Sequence, residues 1–261
     1  MPTYNDYGIV LSSYNLAESD KILNIYTKEN GLVRAIAKGV KKLKSRFTGK
    51  VDQLSCCYFH FAKGKNLDIV SDCSQVTNFP LLRSDLIRLT YGILFLEIVN
   101  SFAHEMESES THIYDLLYNG LQELQKIDNP AQFSIEFILE FLSIHGLNPQ
   151  LETCVSCSKE ISFVESIKDY PYSYILGGLL CKECSGFIDF APVNLEAIEI
   201  LEGKILFYSK TKSKEQRESS TATLNKPILQ EKIYPALNLL KEHINIRAKN
   251  KINSFDLVFS L

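Results

Sequence analysis

The sequence is poor in the groups that most enzyme chemistry needs. Its five histidines are scattered. His104-Glu105 is followed by Ser108 at the place where a zinc-protease helix requires its second histidine. Gly49-Lys50 precedes Val51 and has Lys44 where a phosphate-binding loop needs its first glycine, and no Gly-x-Ser-x-Gly elbow occurs. Glu105 and Glu107 are paired carboxylates in a polar helix junction, and no catalytic constellation is assembled around them in the sequence. These absences predict a protein that is not an enzyme.

Long hydrophobic runs are also missing. The longest apolar stretch, from Gly92 to Val99, is interrupted by Glu97 and is too short to span a bilayer. Met1-Pro2-Thr3-Tyr4-Asn5-Asp6 has neither the basic start nor the apolar core of a secretory signal. A cytoplasmic protein with no membrane partner is expected, and its thiols should stay reduced. No internal repeat is visible. Instead, 45% hydrophobic and 23% charged residues over 261 positions describe an ordinary globular chain, long enough for two domains.

Charge is unevenly spread. Residues 1–80 carry 11 Lys+Arg and 7 Asp+Glu, whereas residues 81–261 carry 17 and 24, for a net charge of −3. Between Gly31 and Lys50 there are seven basic residues and no acid: Arg34, Lys38, Lys41, Lys42, Lys44, Arg46 and Lys50.

The first 80 residues read as strands: Tyr7–Ser13, Lys21–Thr27, Leu32–Lys38, Leu54–Ala62 and Leu67–Val70. Asn30-Gly31 between two β-like runs is a strong hairpin signal, because both residues tolerate positive φ. Five short strands suit a small closed barrel, either of the oligonucleotide-binding or of the SH3-like kind. After Pro80 the period changes to helical. Leu82, Leu86, Leu89, Ile93, Leu96 and Val99 form one stripe, predicting a helix over Leu81–Phe102. Further helices are expected from about Ser108–Thr111 to Lys126, over Ala131–His145, at about Asn194–Tyr208 and over Pro227–Ile246, with a polar loop over Ser209–Asn225. The fold class is therefore α+β. A barrel domain over 1–80 precedes a mainly helical domain over 81–261 that is interrupted by a cysteine module at about 150–190.

Two Cys-x-x-Cys pairs, Cys154–Cys157 and Cys181–Cys184, are the most specific motif in the chain. Each tight turn lets two thiolates converge, and two such turns complete the tetrahedral set that zinc prefers. Gly177-Gly178 suits the close bend before the second pair. Four protein ligands would leave no position for water, so one structural Zn2+ ion is expected. A redox pair needs a single motif at a helix start after a strand, which neither pair offers; an iron–sulfur cluster is the other metal reading. Cys56, Cys57 and Cys73 have no regular spacing and read as small buried hydrophobes.

In a strand over Leu32–Lys38, Arg34 and Lys38 face away from Val33, Ala35 and Ala37. They would continue into the lysine-rich segment as one cationic track, suited to the phosphates of DNA. Lys63 and Lys65 occupy the last hairpin turn, where barrels of this kind contact strands. Tyr26 and Phe47 are candidate stacking partners for bases; the other reading of each is a core or loop residue.

Taken in order, Gly8-Ile9-Val10-Leu11, Glu18-Ser19-Asp20-Lys21, Tyr26-Thr27-Lys28-Glu29-Asn30-Gly31, Ala37-Lys38-Gly39 and Lys44-Ser45-Arg46-Phe47 resemble the RecO family of bacterial DNA repair and recombination mediators. So do Leu142, Gly146, Cys154-Val155-Ser156-Cys157 and Gly177-Gly178-Leu179-Leu180-Cys181. The similarity runs over about residues 5–190, with Ser158 standing where the family often has glycine. The resemblance implies an N-terminal oligonucleotide-binding barrel and a helical domain with a zinc finger. It implies a protein that binds single- and double-stranded DNA, anneals complementary strands and helps to load recombinase onto DNA coated with single-strand-binding protein. Its partners would be RecR, the single-strand-binding protein and, indirectly, RecA, at the bacterial nucleoid. The alternative class is a zinc-stabilised protein–protein adaptor that does not itself bind DNA.

Overall fold

A computed structural model describes residues 2–42, 44–106, 108–164, 166–203 and 230–261. The polar stretch over Ser209–Asn225 and the ends of the helices expected to reach Tyr208 and to begin at Pro227 lie outside the described residues. Contacts divide the chain into two compact units, Met1–Pro130 with Ala248–Leu261, and Ala131–Arg247.

The first unit is built on five strands: β1 (Thr3–Asn15), β2 (Lys21–Thr27), β3 (Gly31–Ala37), β4 (Cys56–Ala62) and β5 (Asp68–Thr77). They hydrogen-bond in the order β1-β2-β3-β5-β4, and β4 returns to β1 to close the barrel. The β1 strand makes this possible by serving two partners, β4 along Thr3–Ile9 and β2 along Gly8–Asn15. A bulge between Val10 and Ser12 bends it from one to the other. Gly8 lies at the changeover, where a Cβ would meet Ile25 Cγ2 at 2.5 Å. Closure between β3 and β5 is parallel and short, at Ala35–Asp68 and Ile36–Ile69. This ring is that of the oligonucleotide-binding barrel, which decides between the two barrel types left open by the sequence.

Strand alternation fixes what points inward. Val33, Ala35 and Ala37 of β3 are buried while Arg34 and Lys38 are exposed, because successive side chains take opposite faces. Phe59, Phe61, Leu23, Ile25, Val10 and Val70 fill the interior. The Asn-Gly hairpin is present, with Gly31 at φ 65°. Its turn is tied down by buried Asp6, whose Oδ2 accepts hydrogen bonds from the Glu29 and Asn30 amides at 3.0 and 3.2 Å.

Three helices follow: α1 (Pro80–Arg83), α2 (Leu86–Phe102) and α3 (Ser110–Leu124). The sequence predicts one continuous helix over Leu81–Phe102. It divides because Asp85 takes extended backbone and caps α2, its side chain accepting from the Arg88 amide at 3.0 Å. Both α2 and α3 pack on the barrel, against β1 and against β1–β3 respectively. The compact unit therefore runs past residue 80, where the composition changes, because these helices bury their apolar stripes on the strands.

The second unit begins with α4 (Pro130–Ile144) and contains a small antiparallel sheet absent from the sequence reading. Its strands β6 (Asp169–Ser173), β7 (Gly178–Leu179) and β8 (Ala191–Asn194) lie in the order β7-β6-β8. Two helices, α5 (Leu195–Leu201) and α6 (Gln230–Asn245), pack together. A short helix α7 (Ser254–Val258), also not expected, returns to the first unit and rests on α2. Among the described residues, no helix is long and apolar enough to cross a membrane.

Candidate metal centre and basic surface

The four paired cysteines converge. Their sulfurs all lie within 4.8 Å of one another, and Cys157 Sγ is 3.7 Å from Cys181 Sγ. A tetrahedral zinc with bonds of about 2.3 Å spaces its sulfurs by about 3.8 Å, so the donor set fits that ion. These residues could hold a metal, and four thiolates around Zn2+ close its shell against water.

Local backbone makes the convergence. The first turn is pinned by hydrogen bonds from the Cys154 amide to Lys159 O at 2.7 Å and from the Ser158 amide to Cys154 O at 2.8 Å. Ser158 reaches this turn in left-handed backbone, φ 61°, which explains why glycine suits the position. The second turn is closed from the Ser185 amide to Cys181 O at 3.0 Å. Gln150 joins the two halves: its amide donates to Gly177 O at 3.0 Å and its carbonyl accepts from Leu179 at 2.9 Å. Gly178 lets Gln150 approach, because a Cβ there would lie 2.7 Å from the Gln150 carbonyl.

Amides aimed at sulfur prepare the site for thiolate. Burial works against ionisation of Cys154, yet the Cys181, Cys157 and Ser156 amides outweigh it and bring its pKa down to about 6. The Cys184 amide likewise lowers Cys181. Cys157 is lowered by the Lys159 amide, but burial and the thiols of Cys154 and Cys181 leave it raised overall. The Ser156 hydroxyl lowers Cys184, but Cys181 and Cys157 drive it up to about 12. Four sulfurs this close resist full ionisation until a cation joins them. A 2.5 Å bridge between Lys159 and Glu183 ties the two turns together at the surface.

Behind this module, buried His243 of α6 connects two segments that lead into it. Its Nδ1 lies 2.6 Å from the Tyr172 hydroxyl on β6, and its Nε2 lies 2.7 Å from Leu147 O. The carbonyl can only accept, so Nε2 carries the proton and Nδ1 accepts from tyrosine.

The basic segment between β3 and β4 is a chain of tight turns. Lys42 bonds back to Gly39 O at 3.2 Å, Ser45 to Lys42 O at 3.0 Å and Lys50 to Phe47 O at 3.0 Å. Phe47 and Val51 peg it into the barrel core, both 1% exposed. With Phe47 and Val51 turned in, Lys38, Lys41, Lys42, Lys44 and Arg46 point to solvent, and Lys50 is half-buried. Arg34 is exposed on β3. Lys65 is exposed in the β4–β5 turn; Lys63 is exposed too, but is 3.7 Å from Asp68 and sits over the Tyr4 ring.

Two sequence candidates are corrected. Tyr26 is fully buried and Phe47 nearly so, so neither ring is available to a base. Conversely, the sequence reading passed over Asp20, which grips the start of the basic segment, and the rings on the outer face of β1 and β4. Asp20 was legible as one of few acids beside a basic run. The rings were legible only through strand register.

Comparison with known proteins agrees with this architecture. The family model for the recombination protein O N terminal domain matches residues 1–79, and that for the recombination protein O C terminal domain matches residues 83–202. A "DNA repair protein RecO" from Bifidobacterium adolescentis is 32% identical over 69% of this chain and 73% of its own length. One from Symbiobacterium thermophilum is 32% identical over 71% and 72%. A third, from Nocardioides sp., is 29% identical over 84% and 90%.

Proposed function

The chain belongs to the recombination protein O family of DNA repair proteins, and we propose on that footing that it is a non-catalytic mediator of homologous recombination. It binds single- and double-stranded DNA, anneals complementary strands and assists recombinase loading on DNA coated with single-strand-binding protein. RecR and the single-strand-binding protein are its direct partners and RecA an indirect one, at the bacterial nucleoid.

The observation that carries this reading is the acid-free cationic run from Arg34 to Lys50, mounted on an oligonucleotide-binding barrel with its cations turned outward except for half-buried Lys50. Neutralised phosphates release counterions, which gives affinity independent of sequence. Arg34, Lys38, Lys41, Lys42, Lys44, Arg46 and Lys50 are assigned this role, with Lys65 and the partly neutralised Lys63 at its margin. Annealing follows when one protein holds two strands, screens their repulsion and raises their effective concentration.

A zinc ion on Cys154, Cys157, Cys181 and Cys184 has a bracing role. The ion would supply bonds between two turns that are otherwise joined by main-chain contacts, the Ser156–Cys184 contact and the Lys159–Glu183 ion pair. Four thiolates and Zn2+ sum to −2, a charge that does not attract phosphate, so DNA is assigned to the barrel.

The test is annealing of complementary strands, each coated with single-strand-binding protein, with and without this protein. Acceleration is expected without nucleotide hydrolysis or strand cleavage. No acceleration, together with no affinity for bare DNA, would leave the adaptor reading in its place.

A further inference from the structure

The outer face of β1 and β4 carries a strip of aromatic side chains that the phosphate-binding surface does not use. Tyr7 of β1 stands directly opposite Tyr58 of β4, and one step along Asn5 stands opposite His60. The Tyr7 and Tyr58 ring centroids are 4.8 Å apart, and His60 meets Tyr58 edge-on at 5.4 Å. Tyr7 is 46% exposed and Tyr58 and His60 are half-buried. Asn5 Oδ1 fixes the imidazole by contact with its Nδ1 at 2.8 Å.

Beyond His60 the strip opens into a cleft of about 470 Å³ lined by Thr3, Asn5, His60, Phe61, Ser71 and Asp72. Its lining offers hydroxyl, amide and carboxylate groups, and no ammonium or guanidinium group. Past the strand ends, the β4–β5 turn carries exposed Lys65, whereas Lys63 turns to the other face, over the Tyr4 ring and 3.7 Å from Asp68. Rings therefore lead to polar acceptors and donors, with Lys65 in the turn beyond.

We propose that this strip stacks the bases of single-stranded DNA, deepening the DNA-binding reading, on which it rests. Bases present a π-face whatever their identity, so stacking on Tyr7 and Tyr58 adds affinity without sequence preference. The Asp72 carboxylate on the rim repels phosphate and accepts hydrogen bonds from base amino groups. The backbone therefore faces outward and towards Lys65, while the bases face the barrel. A duplex keeps its bases stacked on each other and gains nothing here, so this face favours single strands. The sequence offered Tyr26 and Phe47 for this task, with a core or loop reading beside it; both are in the core, and the β1–β4 pairing sets other rings on the outer face.

Binding of a labelled thymidine oligomer and of an abasic oligomer of equal length, by fluorescence anisotropy, separates stacking from phosphate contact. The wild-type protein should prefer the thymidine oligomer by about tenfold or more. The double variant Tyr7→Ile/Tyr58→Ile keeps branched, strand-forming side chains and should lose that preference, with its affinity for the abasic oligomer and its salt slope unchanged. Tyr7→Phe/Tyr58→Phe should restore it. Equal wild-type affinity for the two oligomers, or a preference that survives in the isoleucine variant, overturns the inference while phosphate-based binding stands. Failure of the wild-type protein to bind either oligomer overturns both this inference and the proposed function.

Discussion

Asp20 Oδ1 accepts a 2.8 Å hydrogen bond from the amide of Gly39, the residue at which the basic segment leaves β3. The next residue back, Ser19, accepts from the Lys41 amide at 3.1 Å. The β1–β2 connection thus clasps the start of the cationic track. The Gly39 amide, then the Ser19 hydroxyl, hold the Asp20 carboxyl below its ordinary range against a smaller desolvation effect, and Lys38 and Lys42 add to this. The contact is complete above the ordinary carboxylate pKa and is lost only as pH falls through the depressed value, so it is intact at neutrality.

Asp20→Ala should therefore loosen the segment. Amides of Gly39 to Lys42 should exchange faster with deuterium, and single-strand affinity should not rise although one negative charge has gone. Asp20→Asn keeps an accepting oxygen and should retain most of the protection. Tighter DNA binding by Asp20→Ala would mean that the clasp has no positioning role.

The cysteine module should be needed for folding and dispensable for DNA contact. Metal analysis should find one zinc per wild-type chain and none in Cys181→Ser/Cys184→Ser. Zinc in isolated fingers contributes about 10 kcal/mol or more of folding free energy, so the variant should lose more stability than a single surface contact supplies. Below its melting range it should still bind single-stranded DNA. A variant with wild-type thermal stability but no DNA binding would move the DNA site to the module.

Two backbone positions in the module should respond with opposite signs. Gly177 has φ 85°, and a Cβ there would lie 2.3 Å from Arg247 Nη2. Gly177→Ala should cost more than about 1 kcal/mol in chemical denaturation and weaken zinc retention. Ser158 occupies φ 61° with a side chain already present. Ser158→Gly should stabilise by up to about 1 kcal/mol, since left-handed backbone costs a side-chain-bearing residue about that much.

Much of this was readable from residue order. Alternation along Leu32–Lys38 told which side of β3 would be charged, and the two Cys-x-x-Cys pairs announced their own meeting place. Asn30-Gly31 announced its hairpin. What failed depended on partners distant in sequence. Tyr26 and Phe47 stand beside a basic run and read as stacking partners or as core or loop residues, and only barrel closure decides for the core. Asp85 lies within an unbroken helical stripe, and its capping role emerges only because α1 ends in time for it. The strands β6–β8 are short enough, at two to five residues, that local pattern gives no period to read.

Buried His243 gives a pH dependence with a definite sign. Burial, helped by the Arg247 charge and opposed by the Leu147 carbonyl, lowers its pKa to about 4. The unfolded chain binds the proton more tightly than the folded one, so this contribution is complete above about pH 6.5 and is lost as pH falls towards 4. The loss approaches roughly 3 kcal/mol. The stability difference between wild type and His243→Gln should therefore shrink between pH 7 and pH 4.5. Comparing the two proteins removes the acid lability of the thiolate site, which both share. A difference that stays constant over that range would show that His243 takes up its proton as readily in the folded chain as in the unfolded one.

Salt dependence of single-strand affinity tests the central claim most directly, because it counts the phosphates that the cationic track neutralises. If about five are engaged, the log–log slope for the wild-type protein should be near −3.5. Lys41→Glu/Lys42→Glu/Lys44→Glu should weaken binding to every sequence and flatten that slope by about 2. Wild-type affinity and slope in the triple variant would contradict the placement of DNA on the segment from Arg34 to Lys50.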